Sequence, residues 1–303
     1  GLTVEAIDKG AAAIISCLAN DSQKEAGCKN AERNAFFSIM SGDINSFEIE
    51  TILSDKDYRM LRYEFECTSK SGYESCKKLF DESINSTNDL STCDYDIYKV
   101  SDLAESLASI KQTLPAFYNI QISNSYNTKS IYCPYDKVFG EKKLPLMDIE
   151  KFSILAKKIS EFSGEAVVSL SLFGEPSLNP DFIKIIKEIL KYKDLKVFVE
   201  TDGLNITKEV LEDISNTTDA KSRIYFTVQL DAAEKTMYEK INGISGEYFE
   251  KAKNSIGLLN TYFPGQVYPQ FTRMNANEEQ LESFFRFWKE KDSPSGGQLL
   301  IVK

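Results

Sequence analysis

The order of apolar segments predicts an α/β chain, a partial (β/α)6 TIM-like barrel preceded by a smaller, mainly helical α+β region. Three observations carry that expectation. Six short apolar runs after Leu114 have the length of strands, and helix-length stretches separate them. The stretch after Asp148 has apolar residues at 149, 152, 155, 159 and 162, the spacing of one buried helix face. Crossovers of this length join parallel strands and are helical and right-handed.

Before Leu114-Pro115, residues 1–113 read as helices with one good strand. Val4–Leu18, Ala31–Met40, Ser71–Glu82 and Ser101–Thr113 have helical patterning, and Met60–Glu66 alternates like a strand. Polar Ser83–Asp94 reads as a loop. Residues 114–303 form the barrel-like part, opening with a strand at Phe117–Ser123 and a helix at Asp148–Phe162. A buried strand at Ala166–Leu172 follows, then a helix capped by Asn179 with Pro180 at its first position, running to about Tyr192. The third strand is Leu195–Thr201 and the next helix Thr207–Ser215. Arg223–Leu230 and Val267–Arg273 are the fourth and fifth strands, followed by helices at Tyr248–Asn260 and Glu278–Lys291. Gln298–Val302 is the sixth strand.

Composition narrows the function classes. The chain has 303 residues, 42% of them hydrophobic, and a formal charge of −10. That charge disfavours a nucleic-acid partner, because affinity for phosphate backbones rests on Lys and Arg. No apolar run is long enough to span a membrane, and no signal peptide is visible, so a cytoplasmic location is expected. The Gly-Leu-Thr start without methionine reads as a piece cut from a longer protein. Histidine is absent, which removes the commonest acid–base group near neutral pH and the commonest metal imidazole. The six cysteines (17, 28, 67, 76, 93 and 133) include no C-x-x-C pair, so zinc and dithiol motifs are missing.

Ligands of parallel sheets collect at the carboxyl ends of strands. Four carboxylates fall at or just after consecutive strand ends: Glu175, Glu200, Asp202 and Asp231. The expected functional face therefore has an acidic rim. The rim reads as solvated or as charge-paired with Arg273 and Lys129, and the alternative is that Glu175, Asp202 and Asp231 are oxygen ligands for Mg²⁺ or Mn²⁺.

Specific phrases sit on this frame. Tyr126–Tyr135 reads YNTKSIYCPY, and Ser169–Pro180 reads SLSLFGEPSLNP. The first resembles the CxxxCxxC cluster loop of the radical SAM superfamily, with Tyr126, Ser130 and Cys133 in the three cysteine slots. The second resembles that superfamily's GGE loop, with Phe173 in the first glycine's place before Gly174, Glu175 and Pro176. Thr201-Asp202-Gly203 is similar to its T-N-G turn, and Gln229-Leu230-Asp231-Ala232 to its S-L-D-A strand end. The resemblance implies a partial barrel of radical SAM type. It also implies a cofactor surface of Gly174, Glu175, Pro176, Asp202, Gln229, Asp231 and Arg273, with S-adenosylmethionine and a [4Fe–4S] cluster as family cofactors. Cys133 then marks a vestigial cluster position.

The spirochaete spiro-SPASM branch is similar in GDINSFEIETILSDKDYRMLR (Gly42–Arg62), the YCPY loop, SLSLFGEPSLNPDF and the QLLIVK end. That resemblance implies that residues 1–113 are the tail of a nucleotidyltransferase-like domain. It further implies a cysteine-rich SPASM domain lying outside this chain, since no cysteine follows Cys133.

Iron–sulfur clusters are held by soft thiolates, and two of the three slots carry hydroxyls. The expectation is a radical SAM-like domain that has lost radical chemistry and binds no cofactor in this chain. It would act as a binding or scaffold module for a small molecule, a peptide or the flanking domains of its own protein. The alternatives are an active radical SAM/SPASM enzyme in the full-length protein and a metal-dependent enzyme built on the carboxylate rim. A nucleic-acid or membrane module is the least supported.

Overall fold

The structure, a computed structural model, describes residues 9–26, 67–87, 114–134 and 145–303. The expected helices at Ala31–Met40 and Ser101–Thr113 and the strand at Met60–Glu66 lie outside these residues, as does Tyr135. The chain forms two compact units, Gly1–Cys67 with Gly72–Gln112, and Thr68–Ser71 with Thr113–Lys303.

The first unit contains helix α1 (Lys9–Ala26) and most of helix α2 (Lys70–Thr87). α2 continues through Ser83–Thr87, which the sequence reads as loop. Ser, Asn and Thr cost only a few tenths of a kcal/mol each in a helix, and extending a formed helix is cheaper than nucleating one.

The second unit is a six-stranded, all-parallel sheet in the order β1-β2-β3-β4-β5-β6. Its strands are β1 (Phe117–Asn119), β2 (Ala166–Ser169), β3 (Leu195–Thr201), β4 (Ile224–Gln229), β5 (Val267–Thr272) and β6 (Leu300–Val302). Helices α3 (Ile149–Ser163), α4 (Phe182–Leu190), α5 (Lys208–Ser215), α6 (Ala220–Arg223), α7 (Lys235–Asn242), α8 (Tyr248–Tyr262) and α9 (Leu281–Trp288) form the connections. The sheet curls into half of a TIM-like barrel, the architecture the alternating sequence predicts.

Side-chain alternation sorts the sheet's two faces. Val197, Val199, Phe226, Val228 and Phe271 point to the helices and are fully buried. Phe226 meets Phe263 at the end of α8, with ring centroids 5.1 Å apart, and Phe271 meets Phe284 of α9 at 5.0 Å. The opposite face carries Phe198, Glu200, Tyr225, Thr227, Gln229, Tyr268, Gln270 and Thr272.

Local differences from the sequence reading have physical reasons. α3 is capped by Asp148, whose Oδ1 accepts the Lys151 N–H at 2.8 Å, and buries Phe152, Ala156, Ile159 and Ser163. Phe162 is 57% exposed, because it lies about 80° around the helix from Phe152. Asn179 does not cap α4. Its Nδ2 donates to Ile122 O (2.6 Å) and Met147 O (3.0 Å), its Oδ1 accepts the Asp181 N–H (2.8 Å), and α4 starts at Phe182. α7 has no counterpart in the sequence reading, because eight residues with Met237, Tyr238 and Ile241 buried give little periodic signal. Arg223, read as the first residue of the fourth strand, ends α6. Its buried guanidinium donates to the carbonyls of Leu190 (3.0 Å) and Leu195 (2.7 and 2.9 Å) and to that of Tyr192.

Candidate functional site

Loops at the carboxyl ends of β1 to β5 build the site. The β1 loop is held mainly by α7. The Lys129 and Ile131 N–H groups donate to the carbonyls of Asn242 (2.7 Å) and Ile241 (2.9 Å), part of the helix end that lacks intrahelical donors. Gly243 closes α7 with φ +62°, and a Cβ there would stand 2.8 Å from Lys129 O. Glycine satisfies both demands.

Ser130 is buried and its hydroxyl donates to Asn242 Oδ1 at 3.0 Å. Cys133 is half-buried and free, and its N–H closes a turn on Ser130 O at 2.9 Å. Tyr126 is half-buried in the same loop. Tyr132 is 36% exposed, but its hydroxyl donates to Asp231 Oδ2 at 2.5 Å.

Asp231 is fully buried and has a left-handed backbone, φ 58°. Its Oδ1 accepts the Thr272 N–H at 2.6 Å, and its own carbonyl accepts Asn277 Nδ2 at 2.9 Å. Burial raises its carboxyl against the opposing pull of those hydrogen bonds. Burial and the Asp231 charge likewise push the Tyr132 phenol upward.

A second carboxylate is spent in the same way. Glu175 Oε1 accepts the Ser177 N–H (3.0 Å), the Ser177 hydroxyl (2.5 Å) and the Thr201 hydroxyl (2.8 Å). Its Oε2 accepts the Asp202 N–H at 2.8 Å. The group therefore welds the β2 loop to the end of β3. Burial, with Asp202 beside it, pushes the Glu175 carboxyl up to about 7. Asp202 is buried, its Oδ1 accepts the Leu204 N–H at 2.9 Å, and burial raises its carboxyl.

The remaining expected residues divide by surroundings. Gly174 packs on the β1 loop so closely that a Cβ would lie 2.1 Å from Ser123 O, and Pro176 is buried at the start of a 3₁₀ turn. Gln229 is half-buried on the face away from the helices. Arg273 forms a two-pronged ion pair with Glu278, both contacts at 2.7 Å, in an exposed position. Gly174, Glu175, Pro176 and Asp202 thus form one cluster, Asp231 another with Tyr132, and Arg273 turns to Glu278. The proposed Mg²⁺ or Mn²⁺ centre on Glu175, Asp202 and Asp231 is corrected by these bonds. Glu175 and Asp231 use both carboxylate oxygens on protein donors, and no group of three His, Cys, Asp or Glu among the described residues is arranged around a metal position.

Sequence reasoning passed over Tyr132, Asn242 and Thr227. Tyr132 stood next to Cys133 in the motif, and Thr227 carried a parity signal, two residues before Gln229 on one strand face. Asn242 carried none, since it lies in the helix the periodicity did not reveal.

A curled parallel half-barrel with its polar residues gathered at the strand carboxyl ends defines a (β/α) partial-barrel domain. The chain belongs to the radical SAM superfamily, whose family model matches residues 127–287. It is 32% identical over 275 residues to an uncharacterized protein of Treponema pallidum (strain Nichols), covering 88% of this chain and 72% of that one. Among solved structures, Streptococcus suis SuiB bound to precursor peptide SuiA matches with a TM-score of 0.52 and 13% identity, over 94% of this chain and 52% of that one. AnSMEcpe with bound AdoMet and Cp18Cys peptide matches with a TM-score of 0.49 and 17% identity, over 62% of this chain and 51% of that one. The SuiB likeness speaks to the fold alone. This chain spans about half the length of the solved structures it matches.

Proposed function

We propose that this chain is a radical SAM-fold domain that does not hold the [4Fe–4S] cluster and serves as a binding module. One observation carries the reading: the three slots of the β1 loop offer a single thiolate, Cys133, while Ser130 in the second slot bonds to Asn242. Three thiolates are needed to leave one iron open, and a hydrogen-bonded serine hydroxyl is a poor replacement. The residues present do not fit the cluster. The loop is instead positioned by α7 and by Tyr132 on Asp231. Glu175, with both oxygens occupied, is likewise not free for a ligand ammonium.

Anaerobic reconstitution with iron and sulfide, followed by iron analysis and visible spectroscopy, tests this. The expected result is no stoichiometric iron and no visible charge-transfer band. A full [4Fe–4S] complement on this chain would overturn the reading.

A further inference from the structure

Glu200 stands on β3 in register with Thr227 of β4, and both side chains point away from the helices. Their register neighbours Thr201 and Val228 point toward them. The Glu200 carboxylate makes no hydrogen bond or ion pair among the described residues, in contrast to Glu175 and Asp231. Thr227 is 2% exposed, yet its hydroxyl also has no partner among the described residues. Two adjacent polar groups thus face the inner side of the half-barrel with no partner among the described residues. Burying polar groups in this way costs stability unless a partner arrives.

The surroundings give that partner a chemistry. Phe198 and Tyr225 are in register on the same face toward the amino ends of β3 and β4, and Tyr268 is in register with Thr227. Aromatic rings below a carboxylate suit a cation carried on an apolar stem. Lys196, four residues before Glu200 on this face, is about 13 Å away along the strand, too far to neutralise it. A metal ion is a poor match, since it needs more oxygen ligands than this pair supplies.

We propose that Glu200 and Thr227 form a subsite for a ligand's ammonium group on an aliphatic stem, the chemistry of a lysine side chain or a free alkylamine. The ammonium donates to the Glu200 carboxylate and the Thr227 hydroxyl, and the stem lies along Phe198, Tyr225 and Tyr268. This rests on the binding-module reading and specifies what the module binds.

The test is titration of the chain at about pH 8, well above the ordinary carboxylate range, followed by protein NMR or calorimetry. The probes are hexylammonium, 1-hexanol as its uncharged counterpart, and the tripeptide Gly-Lys-Gly with both ends blocked. At least one ammonium probe should bind about tenfold or more tighter than hexanol. Binding of the tripeptide alone assigns a peptide ligand, and binding of hexylammonium alone a small amine. E200Q should weaken the ammonium probe by about tenfold or more, leave hexanol unchanged, and not lower the urea midpoint. T227V should weaken the ammonium probe severalfold, and E209Q on the exposed face of α5 should change nothing. Equal binding of hexanol and both ammonium probes, no binding of any probe, or an E200Q variant that binds normally or unfolds more easily would each overturn the subsite. Neither iron nor S-adenosylmethionine enters this measurement, so its failure leaves the reconstitution result standing.

Discussion

The hydroxyl of Tyr132 and the carboxylate of Asp231 meet at 2.5 Å across 99 residues of chain. The contact joins the β1 loop to the junction of β4 and β5, because the other Asp231 oxygen accepts the Thr272 N–H. Removing the hydroxyl with Y132F leaves a buried carboxylate one donor short. The expected loss is about 1–3 kcal/mol of stability, read as a lower urea midpoint with an unchanged slope. D231N should lose less, since its amide can donate to the Tyr132 oxygen while its carbonyl keeps the Thr272 N–H, and Asn tolerates a left-handed backbone.

Gly174 offers a steric test. A methyl group there would sit 2.1 Å from the Ser123 carbonyl oxygen, backbone against backbone. Neither side has a flexible end to move. G174A should therefore cost about 3 kcal/mol or more, and the chain should show a lower melting temperature or fail to accumulate as soluble protein.

The buried carboxylates give the fold a pH signature. The Glu175 carboxyl lies at about 7 in the folded chain against an ordinary 4.5. An acid with a raised value binds its proton more tightly folded than unfolded. Its stabilising share is complete below about pH 4.5 and disappears as pH rises through about 7. Asp202, Asp231 and Glu200 shift in the same direction. Stability at pH 5 should exceed that at pH 8 by roughly 2 to 3 kcal/mol on account of Glu175. Urea unfolding across that window checks the slope, and E175Q should make it shallower, leaving the share of Asp202, Asp231 and Glu200.

Restoring the missing thiols asks whether the loop alone withholds the cluster. The double variant Y126C/S130C places three cysteines at the CxxxCxxC spacing. It should gain iron and a visible charge-transfer band on anaerobic reconstitution where the parent chain gains neither. S130C alone should remain colourless, with two thiolates.

Much of the barrel was legible because strand burial leaves a period. β3 matches its predicted span residue for residue, as Leu195, Val197, Val199 and Thr201 alternate with side chains on the other face. The eight residues of α7 gave no comparable pattern, and so the platform beneath the β1 loop was invisible. The positions of Glu175, Asp202 and Asp231 followed from counting strand ends. What those carboxylates bond to did not, because Thr201, Ser177 and Tyr132 reach them through tertiary geometry that no spacing encodes. Asn179 shows the same limit. Its place before Pro180 reads as a helix cap, yet its amide serves Ile122 and Met147 from other loops.

The bonds from Lys129 and Ile131 to the end of α7 also set how the loop moves. Both amides share one anchor, and Ser130 between them holds the Asn242 side chain, which in turn donates to Leu230 O at 3.1 Å. Such a chain of contacts opens together or not at all. Native-state hydrogen exchange should find Lys129, Ile131 and Gly243 exchanging at one common rate. On the binding-module reading proposed above, hydrogen bonds rather than metal fasten this segment, and its opening is expected to carry the end of α7 with it.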